Sequence, residues 1–65
     1  MSNENFHAMR ISFHPDPKIE HKAKFSTQDG AQKHIDTTGN SGEYWMIIKE
    51  ANNTCDFVKG FRYQK

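Results

Sequence analysis

The sequence holds a single cysteine, two prolines and one tryptophan in 65 residues, and each scarcity excludes something. Cys55 has no second thiol, so an internal disulfide is impossible. A free thiol in so short a chain fits a reducing, cytoplasmic compartment. It also lacks a CxxC partner, so it reads as a packing residue and not as a redox group. No run approaches the roughly 18 apolar residues of a membrane span. Residues 1–6 are polar, unlike the apolar stretch of a signal peptide. Charge of one sign is missing too: nine basic against eight acidic residues give +1. Bulk charge therefore points neither to a nucleic-acid binder nor to an acidic mimic of one.

Catalytic patterns are equally absent. His7, His14, His21 and His34 show no HxH or HxxxH spacing, and they fall on expected strands, a turn and a helix, so no metal is expected. No P-loop is present, and the stretch 39–42 lacks the strand-then-helix context of a phosphate cradle. Nothing orders a Ser/His/Asp or Cys/His constellation, and so short a chain has little room for a water-excluding pocket. The expectation is a protein that is not an enzyme and uses no cofactor.

What is present is alternation. Over residues 6–13 the chain places His7, Met9, Ile11 and Phe13 on one face and Phe6, Ala8, Arg10 and Ser12 on the other, a period of two that predicts a strand. His14-Pro15-Asp16-Pro17 breaks it. Over residues 18–25, Ile19, His21, Ala23 and Phe25 alternate with Lys18, Glu20, Lys22 and Lys24, the pattern of a half-buried antiparallel strand. Pairing Phe13 with Ile19 sets Ile11 opposite His21, Met9 opposite Ala23 and His7 opposite Phe25. Ser26 and Asp29 read as a capping box opening a helix over 27–36, with Ala31, His34 and Ile35 inward. The stretch 37–42 stops it.

Residues 43–51 and 54–63 read as a hairpin around Asn52-Asn53, since asparagine tolerates the positive φ of a two-residue turn. That turn pairs Lys49 with Asp56, Ile48 with Phe57 and Ile47 with Val58, and lays Trp45 over Gly60. The expected architecture is a single α+β domain spanning 1–65, with a frayed start over 1–5. It has a four-stranded antiparallel sheet and one helix packed on one face, in the order ββαββ. A chain of this size buries only about 60% of its unfolded surface, so its stability is expected to be marginal.

The expected core is Met9, Ile11, Phe13, Ile19, Ala23, Phe25, Tyr44, Met46, Ile48, Phe57 and Phe61. Lys59 falls awkwardly on that face. The opposite face then carries Trp45, Ile47, Val58 and Phe6 among basic residues that include Arg10, Lys22, Lys24 and Arg62. Large apolar side chains left in water on a marginal domain suggest a partner-binding patch. A protein partner is the first reading. Single-stranded nucleic acid, stacking on Trp45 and Phe6 amid lysines, is the second.

In size, in strand-helix order and in two segments the chain resembles the small phage-encoded inhibitors of host machinery, anti-CRISPR proteins among them. The segments are Phe25-Ser26-Thr27-Gln28-Asp29-Gly30-Ala31-Gln32-Lys33-His34-Ile35 and Tyr44-Trp45-Met46-Ile47-Ile48. The resemblance implies an inhibitor that occludes the surface of a host protein or protein complex. It assigns no functional residue. A near-neutral chain would act by surface contact and not by mimicking nucleic-acid charge.

Overall fold

The computed structural model describes residues 4–64. Strands β1 (Asn5–Ser12), β2 (Lys18–Phe25), β3 (Tyr44–Ala51) and β4 (Thr54–Arg62) flank one helix, α1 (Gln28–Thr38). The strands form one antiparallel sheet in the order β2-β1-β3-β4, so the ββαββ architecture read from the sequence is present. Of the expected frayed start, residues 1–3 lie outside the described residues, and Asn5 already opens β1.

Local chemistry accounts for the boundaries. Thr27, not Ser26, caps α1: its hydroxyl accepts a 3.0 Å bond from the Gly30 N–H, one of the donors a helix start leaves free. The helix ends where the Gly39 N–H donates to the Ile35 carbonyl at 2.7 Å. Asn52 and Asn53 take φ of 53° and 64°, the left-handed pair of a two-residue hairpin turn. From that turn the expected register holds for Lys49 opposite Asp56 and Ile48 opposite Phe57. The Lys49 ammonium, however, pairs with Glu4 at 3.2 Å.

Beyond those pairs the register departs from expectation. A bulge between Ile47 and Ile48 inserts Val58, so Ile47 faces Lys59, Met46 faces Gly60 and Trp45 faces Phe61. In the first hairpin Phe6 faces Phe25, Ala8 faces Ala23 and Arg10 faces His21, one residue away from the expected pairing. A second irregularity past Arg10 then sets Ile11 opposite Ile19. Because side chains alternate, a one-residue slip moves a strand's whole apolar set to the other face. β1 and β3 are inverted relative to the expectation, while Ala23, Phe25 and Phe61 stay on the helix side.

The core under α1 is therefore Ala8, Ala31, Ile35, Trp45 and Ile47, with Phe6, Phe25, Val58, Phe61 and Tyr63 packed around it. Small residues explain the choice of face. Ala31 on the helix sits against Ala8, which lets the two backbones approach closely, while Trp45 and Ile47 fill the space alongside. α1 packs on β1, β2 and β3 and does not reach β4, so Lys59 keeps its place on the helix side beyond the helix. Its ammonium lies 5.6 Å from the centre of the Phe61 ring.

Two polar devices fix this layer. His21 on β2 and His34 on α1 meet Nε2 to Nε2 at 2.9 Å. Their ring planes lie within 13° and their centres are 5.2 Å apart, which is the N–N gap plus one ring radius at each end. The rings are head-on and nearly coplanar, one donating and one accepting, an arrangement that requires at least one neutral ring. The histidines thus converge in one pair, which spacing alone did not reveal.

The second device is Glu43. Its carboxylate accepts from the Asn40 N–H at 2.6 Å, the Trp45 indole at 3.3 Å and Arg10 at 3.0 Å. The Asn40 bond chiefly holds its pKa below the usual carboxylate value, against an opposing push from burial, with Trp45 and Arg10 adding to the lowering. A depressed folded pKa stabilises above the unfolded value, and that stability is lost as pH falls through the folded one. Wild-type stability should therefore fall on acidification from about pH 5 downward, and Glu43→Gln should flatten that dependence. Urea midpoints of both chains at about pH 6 and about pH 3 test this; parallel losses would remove Glu43 from the acid response.

Candidate interaction face

The face of the sheet turned away from α1 is built in three cross-strand rows. One runs Lys24, His7, Ile48, Phe57; the next Lys22, Met9, Met46, Gly60; the third Ile19, Ile11, Tyr44, Arg62. Its centre is aliphatic and its margins carry aromatic and basic residues. Among the described residues no helix or strand covers it. Phe57 is 67% exposed, Ile19 56% and Tyr44 45%.

The exposed rings are held in place. Phe57 lies over Gly60: a Cβ on that glycine would stand 3.1 Å from the Phe57 ring tip. An aromatic does cover a bare glycine here, as expected, but it is Phe57 from the same strand and not Trp45. Phe13 meets Tyr44 edge to face, with centres 5.1 Å apart and planes at 89°. Beside this pair a depression of about 820 Å³ is lined by Ile11, Phe13, Tyr44, Arg10 and Glu43 among others. In the row beyond Ile48, Glu50 is hydrogen-bonded to His7 Nε2 at 2.9 Å. That bond is the main reason the Glu50 pKa is lowered, with burial opposing it.

The residues expected to bind a partner are divided by this arrangement. Trp45 is 2% exposed and Ile47 is fully buried, so neither can anchor a partner while the chain is folded. Phe6 and Val58 pack against the same core. Arg10 is on the helix side, engaged by Glu43 at 3.0 Å. Only Lys22, Lys24 and Arg62 lie on the open face, all exposed. The slip in the first hairpin and the bulge at Val58 are the physical cause of the exchange.

Sequence reasoning gave Met9, Ile11, Ile19, Tyr44, Met46, Ile48 and Phe57 to the core. Met9 is indeed buried, although it points away from the helix, and Ile11, Met46 and Ile48 are half-buried. Ile19, Tyr44 and Phe57 are the exposed residues it missed. A signal was available. The helix offers little apolar width, with only Ala31 and Ile35 buried, and it fits a strand face with alanines better than one crowded with Met, Ile and Phe.

Among the described residues no group of three or more His, Cys, Asp or Glu side chains could hold a metal ion, and no helix is long and apolar enough to cross a membrane. The chain matches no protein-family model, and no curated protein or solved structure matches it.

Proposed function

We propose that this chain is a non-enzymatic protein-binding module that docks on its partner through the open face of the sheet. One observation carries the reading: Ile19, Tyr44 and Phe57, three large apolar side chains left exposed, stand on the sheet face that the helix leaves uncovered. A small domain gains stability from every apolar group it buries, so Ile19, Tyr44 and Phe57 left in water suit a surface completed by another molecule. The pinned rings of Phe57 and Tyr44 are suited to anchoring, because little conformational freedom remains for binding to remove. In the phage-type inhibitors that the chain resembles, such docking occludes a host protein's working surface, and we assign the same mode of action here.

Both exposed anchors can be changed without touching the core. In Ile19→Asp/Phe57→Asp the melting temperature should stay near that of wild type, while partner capture from host lysate by the immobilised chain is lost. Undiminished capture by the folded double variant would overturn the proposal.

Single-stranded nucleic acid remains the second reading, supported by Tyr44 beside Arg62 and by Phe57 in one row with Lys24. The aliphatic centre of the face, where half-buried Ile11, Met46 and Ile48 sit, favours protein, since stacking needs rings there. Fluorescence titration with oligonucleotides separates the two: tight binding that weakens steeply with salt supports nucleic acid.

A further inference from the structure

The charges bordering the open face say what kind of protein surface fits it. Lys22 and Lys24 line its β2 edge, and Arg62 stands at its β4 edge. None of the three makes a direct ion pair among the described residues. Glu50, the carboxylate that feels Lys24 and Lys22, spends its hydrogen bond on His7. Both long edges of an apolar face thus carry basic side chains without a direct ion pair, three cations with the carboxylate of Glu50 acting on Lys24 and Lys22. We propose that the occupant is a partner's apolar segment flanked by Asp and Glu side chains, an inference that rests on the protein-binding reading above.

Charge also argues against a second copy of this chain. Two sheets stacked face to face by a two-fold axis along the strands would set β2 over the copy's β4, laying Lys24 over Phe57 and Lys22 over Gly60, one row from Arg62. A two-fold axis across the strands would set lysine over lysine. The second arrangement crowds like charges directly at the margin of a shared apolar layer, where their repulsion is weakly screened, and the first still leaves Lys22 one row from Arg62. Size is compatible with a discrete partner. Four strands about 4.8 Å apart, each about eight residues of about 3.3 Å, present on the order of 500 Å². Covering that face entirely gives an interface at the low end of specific complexes. There, steering by the charged rim contributes strongly to partner choice and to the association rate.

The test uses two labelled amphipathic helical peptides that share one Leu/Ile stripe, one flanked by Glu and the other by Lys. Each is titrated against the wild-type chain, Lys22→Glu/Lys24→Glu and Ile19→Asp/Phe57→Asp. The Glu-flanked peptide should bind wild type about tenfold more tightly than the Lys-flanked one, and that preference should shrink with salt. It should reverse in the charge-swapped variant, and the apolar-face variant should bind neither peptide.

Equal affinity for both peptides, lost together in the apolar-face variant, would overturn the acidic-flank inference and leave the protein-binding reading standing. Peptide binding that survives in the apolar-face variant would remove that reading as well. Failure of both peptides to bind wild type overturns the inference. So does sedimentation of the free chain as a dimer that Ile19→Asp/Phe57→Asp dissociates, which would give the face to a second copy. Displacement of the Glu-flanked peptide by an oligonucleotide at low salt would give it to nucleic acid.

Discussion

Trp45→Ala is expected to leave the chain largely unfolded at room temperature, whereas Phe57→Ala is expected to melt almost where wild type does. Both replace a large aromatic on the same hairpin, so composition alone cannot separate them. Trp45 is 2% exposed, packed with Ala8, Ala31, Ile35 and Ile47, and its indole donates to Glu43. Removing it opens a cavity and leaves the Glu43 carboxylate short of a donor, a loss of about 3–5 kcal/mol. A domain this small has little more than that in total. Phe57 is 67% exposed and covers only Gly60 and its surroundings, so its truncation should cost within about 1 kcal/mol. Thermal melts followed by far-UV circular dichroism decide the matter. A stable Trp45→Ala beside an unfolded Phe57→Ala would put the core on the other face of the sheet and remove the proposed interaction surface.

That pair of variants also marks the limit of what the sequence discloses. Element types and order were legible because each rests on local chemistry: alternation over residues 18–25, the hydroxyl-led start of α1, and an asparagine pair at the tight turn. The inner stripe of the helix was legible for the same reason, with Ala31 and Ile35 buried and His34 half-buried. The facing of β1 and β3 was not. It depends on pairings between strands, and two single-residue irregularities near Arg10 and Ile47 are enough to exchange the faces. Lys59 was the local warning. A lysine that alternation places among core residues signals either a charge at the edge of the sheet or a break in the alternation, and here both hold. Val58 is the inserted residue, and Lys59 sits beyond the reach of the helix.

The candidate site was legible in kind but not in membership. An apolar sheet face bordered by lysines was expected, and such a face exists. Of the residues named for it, only Lys22, Lys24 and Arg62 lie there. Register misled the rest of the assignment: alternation without the two irregularities put Ile11, Tyr44, Met46 and Ile48 under the helix and Ala8, Trp45 and Ile47 on the open face. A close helix-to-sheet contact instead favours small residues beneath the helix and large ones at its flanks, as with Ala8 and Ala23 beside Phe25, Ile47 and Trp45.

Ile35→Ala should be the second most damaging change, and its consequences reach the function. Ile35 is fully buried, and with Ala31 it supplies the buried apolar contact of α1. An isolated helix of 11 residues is not stable in water, so α1 persists only while it is docked. The other ties include the His21–His34 pair, the packing of the His34 ring on Phe25 and Trp45, and the Tyr63 hydroxyl, which donates to the Asp36 carbonyl at 3.2 Å. The histidine pair is only part-buried and the Tyr63 bond is exposed, so these polar ties cannot replace an aliphatic anchor. Truncation should cost about 2–5 kcal/mol and lower the melting temperature by more than about 10 °C. Helical ellipticity should be lost together with the sheet signal. Because undocking α1 uncovers Trp45 and Ile47 while the opposite face is already open, the variant would present apolar surface on both sides of the sheet. It should therefore bind a hydrophobic dye and aggregate on warming, where wild type presents one such face only. Retention of wild-type ellipticity and melting temperature by Ile35→Ala would mean that α1 is held by something other than this contact, and the assignment of the covered face would fall with it.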